Sequence, residues 1–186
     1  MLIVKGLDNP RDVKLVKQFA RYCLGRFLTP YRIKKLTIQI DFVDRNEVDP
    51  DERDDLNKYE AWMNPSSDTK DHYFVTLAKF AISKKATKPL TKYKKTLQYL
   101  AHELVHVKQY VLGEMKDLYK GENIIGTMFH GVEYFEPKPK KAAGPFAAEW
   151  AYYDSPWELE AYGRTEGLYN MFYDEHGKPW RVAQKI

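Results

Sequence analysis

Leu100-Ala101-His102-Glu103-Leu104-Val105-His106-Val107-Lys108-Gln109 is the stretch on which the reading of this chain turns. It lies inside a segment whose apolar spacing predicts a long helix from near Thr91 to near Met115, with Gly113 and Gly121 bracketing its end. On a helical wheel Leu97, Leu100, Leu104, Val107 and Val111 gather on one side, and His102, His106 and Gln109 on nearly the opposite one. The flanks near Ala101, Val105 and Leu112 are also apolar, so the helix is expected to be buried on most sides, with a polar face turned to a cleft. A buried polar face needs partners. Two histidines at this spacing are rotated by only about 40° and rise from one face, so both imidazoles can reach one cation at ~2.0–2.1 Å. Glu103 falls beside such an ion and can take a proton from water bound to it. The plain alternative is a pair of histidines bonded to backbone or solvent.

Composition narrows the chemistry. The 186 residues suit a single domain, 1–186, large enough to bury a core without cross-links. The single cysteine, Cys23, allows no internal disulfide and no Cys-rich zinc site, so any metal must use His, Asp or Glu. Thirty basic against 26 acidic residues leave a net charge of +4, which argues against nucleic acid as a partner. The apolar start, Met1-Leu2-Ile3-Val4-Lys5, is too short for a signal peptide or a membrane span. A cytoplasmic protein with no membrane partner is therefore expected. Aromatic residues make up 15% of the chain, which fits an ordinary core and also a substrate cleft.

Outward from the central helix, residues 2–4 can form a short strand, and Asp8 or Asn9 with Pro10 can start a helix that runs to Gly25 and Thr29-Pro30. Leu36 to Val43 alternates like a half-buried strand. Residues 44–55 form an acidic loop, with a short helical continuation from Leu56 to Met63. His72 to Ser83 reads as a second strand, and Lys84 to Lys95 as a basic connection. About 117–153 reads as an irregular loop region, and Ser155-Pro156 starts a last long helix that ends near His176-Gly177. This order predicts an α+β fold: a small, twisted, mainly antiparallel sheet packed on the His-bearing helix, plus a second C-terminal helix.

The motif His102-Glu103-Leu104-Val105-His106 resembles the active-site helix of zincin metallopeptidases. The resemblance implies a Zn2+ cofactor held by His102 and His106, with Glu103 as general base. Gln109 and Leu112 stand where the metzincin branch carries glycine and a third histidine, so that branch is set aside. The gluzincin branch takes its third ligand from a glutamate on a later helix. Pro156-Trp157-Glu158-Leu159-Glu160-Ala161-Tyr162 is similar to that helix and places Glu158 in the ligand position, although Tyr162 stands where an aspartate is usual. The chain is thus similar to small intracellular or phage-encoded gluzincins, the latter acting in a host cell. The motif and ligand helices that carry the likeness cover about a quarter of the chain.

Alternatives remain at this point. Ser155 and Glu158 fit a capping box, which would make Glu158 structural and leave Glu160, about 160° round the helix, as ligand. His130, Glu149 and Asp154 are further candidates. The resemblance implies hydrolysis of a peptide or protein substrate by a zinc-activated water, with a second donor for the oxyanion. Tyr153 and Tyr162 rank first for that role, ahead of Tyr152 and His130. Zincins resemble one another in pairing substrate with an edge strand, which would place Tyr73, Phe74 and Val75 beside the substrate. The competing function is a regulatory protein that binds a single partner on a zincin scaffold without turnover. A third, a nucleic-acid-associated protease of the SprT-like kind, is disfavoured by the charge balance.

Overall fold

The computed structural model describes residues 1–44, 60–86, 88–135 and 153–176. Asn9 and Pro10 set the first long helix. The Asn9 side chain accepts a hydrogen bond from the Arg11 amide at 2.9 Å, and Pro10 supplies the fixed backbone angle of a first helical turn. Helix α1 (Pro10–Phe27) buries Leu15, Val16, Phe19, Ala20, Cys23 and Leu24 as one stripe. Helix α2 (Pro30–Lys35) follows after the cap at Thr29.

Strands β1 (Leu2–Lys5), β2 (Thr37–Val43), β3 (Ala61–Pro65) and β4 (His72–Ala78) form one sheet in the order β1-β2-β4-β3. In the central strands every second residue is buried. Ile38, Ile40 and Phe42 of β2 stand beside Tyr73, Val75 and Leu77 of β4 in register, so they form one apolar face. That face packs on helix α4 (Lys94–Leu112), which follows the short helix α3 (Pro89–Lys92). Helix α4 ends at Gly113, whose φ of 71° is left-handed, with the Glu114 amide bonded back to the Gln109 carbonyl at 2.8 Å.

Four expectations need correction. The sheet that packs on α4 is not mainly antiparallel: β1–β2 and β2–β4 are parallel, and only β3–β4 is antiparallel. Strand β4 is not an edge. Tyr73, Phe74 and Val75 pair with Ile38, Gln39 and Ile40 on one side and with Pro65, Asn64 and Met63 on the other. The edge strands are β1 and β3, and β3 takes up part of the segment expected to be helical. Its Trp62, flanking Ala61 and terminal Pro65 suit an edge better than a helix interior. Finally, the region expected to be irregular from about 117 contains a regular sheet. Strands β5 (Met115–Lys120), β6 (Asn123–Phe129) and β7 (Val132–Phe135) form an antiparallel meander. His130 and Gly131, with φ of 48° and 82°, make the two-residue turn between β6 and β7. Residues 136–152 of that region lie outside the described residues.

Helix α5 (Pro156–His176) packs along α4 and closes the core with Ala161, Leu168, Tyr169 and Phe172. Phe19 of α1 meets Phe172 edge-on at 5.0 Å. The three-stranded sheet rests on the start of α5, where Phe129 and Tyr134 flank the Trp157 ring at 6.1 and 5.5 Å. Among the described residues no helix is long and apolar enough to cross a membrane.

Candidate metal centre

Helix α4 stacks His102 and His106 one turn apart, with their Nε2 atoms 3.1 Å from each other. The first turn of α5 turns Glu158 towards them. Its Oε2 lies 3.1 Å from His102 Nε2 and its Oε1 3.3 Å from His106 Nε2. The carboxylate is 2% exposed, so it cannot draw on solvent for compensation. Oε2 nevertheless has no aligned hydrogen-bond donor, and neither has His102 Nδ1. Three buried ligand atoms thus converge on one small volume, and this group could hold a metal ion.

Neither the capping box nor a place for Glu160 beside the histidines is seen among the described residues. The capping box does not form: Ser155 Oγ is buried without a partner, and Glu158 faces the histidines. Glu160 is committed elsewhere. Its carboxylate accepts from Lys108 Nζ at 2.8 Å, from Arg164 at 2.9 Å and from Gln109 Nε2 at 3.1 Å. Burial alone would raise the Glu160 pKa, but the hydrogen bonds from Lys108 and Gln109 outweigh it and hold the group ionised. Asp154 is exposed, and His130 sits in the β-turn with its ring on Phe129 at 4.3 Å. Neither belongs to the cluster. Glu149 and Tyr152 lie outside the described residues.

Charge in the cluster is strongly coupled. Burial would push the Glu158 pKa up and that of His106 down. The close contact of the Glu158 carboxylate with the two imidazoles reverses both tendencies, lowering the carboxylate and raising the His106 imidazole. Glu103, the residue after the first histidine, is buried beside the same group. Its pKa is raised, chiefly by burial and in part by the Glu158 charge, while His106 and His102 oppose the shift.

Tyr162 lies beside His102, and Tyr153 beside Tyr162. The Tyr162 ring lies 4.4 Å from that of His102, one turn beyond Glu158 on α5. Its hydroxyl is kept protonated by burial and then by the charges of Glu158 and Glu103. Tyr153 stands 5.8 Å from Tyr162, ring to ring. Of the residues expected at the site, the structure brings His102, His106 and Glu158 together with Glu103 buried beside them and Tyr162 against His102, while Tyr153 lies farther out against Tyr162.

Sequence reasoning placed Gln109 on the polar face of α4 without giving it a role. Gln109 Oε1 lies 2.8 Å from His106 Nδ1, and the side chain is wholly buried. The available signal was its spacing, three residues after the second histidine and hence on the same face. No protein-family model, curated protein or solved structure matches the chain.

Proposed function

We propose that this chain is a zinc-dependent metallopeptidase, with the ion held by His102, His106 and Glu158 and with Glu103 as general base. The observation that carries the reading is the mutual spacing of the three ligand atoms, 3.1, 3.1 and 3.3 Å. Ligands ~2.0–2.2 Å from a tetrahedral zinc stand about 3.3 Å apart. A donor set of two imidazoles and one carboxylate is one that zinc accepts, and three protein ligands leave a position open for chemistry. Zinc there would supply a Lewis acid and a coordinated water whose pKa is lowered towards ~7.

The chain's own groups supply the rest. Glu103, poorly solvated and with a raised affinity for protons, accepts a proton from water and returns it to the departing amine. Tyr162 keeps its hydroxyl proton and can donate it in a hydrogen bond to the oxyanion, with the Tyr153 ring packed beside it. An extended substrate would add to β3, whose outer edge no strand covers among the described residues and which packs on α4.

The test is cleavage of a mixed peptide library by the zinc-loaded chain, read as new termini by mass spectrometry. Wild type should cut, metal chelation should stop it, and Glu103→Gln should be inert with its zinc retained. A zinc-loaded wild type that cuts nothing, with Glu103→Gln equal to it in every biological effect, would leave the scaffold as a binding protein.

A further inference from the structure

The Gln109 amide can be oriented from its surroundings alone. Its Nε2 lies 3.0 Å from the Trp157 carbonyl oxygen and 3.1 Å from Glu160 Oε2. Both partners only accept hydrogen bonds, so each takes one of the two amide protons. Turning the amide over would set its oxygen against a carbonyl and a carboxylate in a site from which water is excluded. The orientation is therefore fixed, and Oε1 faces His106 Nδ1 at 2.8 Å. An oxygen acceptor there keeps a proton on Nδ1, so Nε2, which faces His102 and Glu158, is the nitrogen left to give up its proton to a metal.

The acceptor that holds Gln109 is itself anchored. Lys108 Nζ reaches both Glu160 at 2.8 Å and Glu114 at 2.6 Å, and Arg164 adds a further bond to Glu160. Glu114 lies at the entry to β5, and its carbonyl accepts from the His130 amide at 2.7 Å. The chain of contacts thus runs from the second histidine through α5 to the three-stranded sheet. His102 has no counterpart, because its Nδ1 is buried without a partner.

We propose that Gln109, held by Glu160 and the Trp157 carbonyl, is a positioning residue that fixes the His106 tautomer and so presets one of the two imidazoles for the metal. The proposal rests on the metal reading above and adds to it an unequal role for the two histidines. Ligating histidines are commonly oriented through their other nitrogen, and loss of such a partner weakens metal binding by about 10–100-fold.

The experiment uses the full chain with zinc alone as probe, in wild type, Gln109→Leu, Gln109→Glu and the double variant Gln109→Glu with Glu160→Gln. Two quantities are read: the zinc dissociation constant by chelator competition, and the His106 ring nitrogens by 15N NMR of the zinc-loaded protein. Wild type should show a protected Nδ1–H on His106. Gln109→Leu should bind zinc about 10–100-fold more weakly and lose that protection. Gln109→Glu alone sets two carboxylates together and should bind weakly, whereas the double variant restores a donor between positions 160 and 109 and should recover affinity. Zinc affinity of Gln109→Leu within about twofold of wild type, with an unchanged His106 signal, overturns the proposal. Should Gln109→Leu not fold, equal affinities of the single Gln109→Glu and the double variant overturn it. A wild type that takes up no zinc instead removes the metal reading, and this proposal with it.

Discussion

Glu158 Oε2 lies 3.1 Å from His102 Nε2, although a whole three-stranded sheet separates the two residues along the chain. Contact at that distance between a carboxylate and an imidazole, both buried, demands that they share a proton or a cation. The choice between these two states governs the behaviour expected of the protein.

Exchanging the carboxylates should separate ligand from support. Glu158→Ala removes one of three donors and should abolish stoichiometric zinc uptake. Glu160→Ala leaves the three metal donors intact and loosens Gln109 together with Lys108 and Arg164, so its zinc affinity should fall by no more than about 10–100-fold. Zinc content after dialysis, measured by atomic emission, distinguishes the two variants. A greater loss in Glu160→Ala than in Glu158→Ala would reverse the assignment.

Glu103→Gln should lower the rate of peptide hydrolysis by about 10²–10⁴-fold with zinc content unchanged. The same change should raise the melting temperature of metal-stripped protein at pH 7. Burial raises the Glu103 pKa, so the ionised side chain opposes folding at neutral pH, and the neutral amide relieves that cost. Scanning calorimetry of both proteins checks the sign.

In metal-stripped protein the pH dependence follows from the Glu158–His106 contact. Glu158 is held down to about 2 by its histidine partners, so its contribution is complete above the ordinary carboxylate range and is lost as pH falls through about 2. His106 is raised to about 9 by Glu158 and Glu103, so its contribution is complete below its ordinary pKa of 6.5 and is lost as pH rises through about 9. Stability from this pair should therefore be greatest between about pH 4.5 and 6.5. Zinc must displace the His106 proton, so the rise in melting temperature on adding zinc should grow from pH 6 to 9. The comparison is made against Glu158→Gln, in which the alkaline decline should be smaller.

The helix that carries the histidines is fixed by the core behind it. Leu104, on the face of α4 opposite the cluster, is wholly buried. Leu104→Ala should cost about 2–5 kcal/mol by denaturant unfolding, as a cavity in a packed core does. Zinc should still bind to the folded fraction.

The sequence was most informative where a local signal and a tertiary role coincide. His102 and His106 announce their shared face by spacing alone, and Glu158 follows a helix start marked by Ser155-Pro156. The start of α1 was equally plain, because Asn9 and Pro10 act within one turn. Strand order is different in kind: β4 lies between β2 and β3 because of partners distant in the chain, and no pattern within His72–Ala78 records them. The meander β5–β7 was hidden by its composition. Gly121, Gly126 and Gly131, with charged residues such as Lys116, Asp117 and Glu122, interrupt any alternation of apolar and polar residues. Yet Gly126 sits within β6 because a Cβ there would stand 2.3 Å from the Tyr134 carbonyl oxygen, a clash visible only once the strands are paired. Gln109 was legible as a polar residue on the right face, but its two acceptors belong to α5 and could not be read from α4.

Anomalous diffraction at the zinc edge from crystals of the zinc-loaded protein tests the central claim most directly. The account predicts one peak per chain, bonded to Nε2 of His102, Nε2 of His106 and the carboxylate of Glu158. No peak between these side chains, or one whose ligands come from elsewhere in the chain, would contradict it.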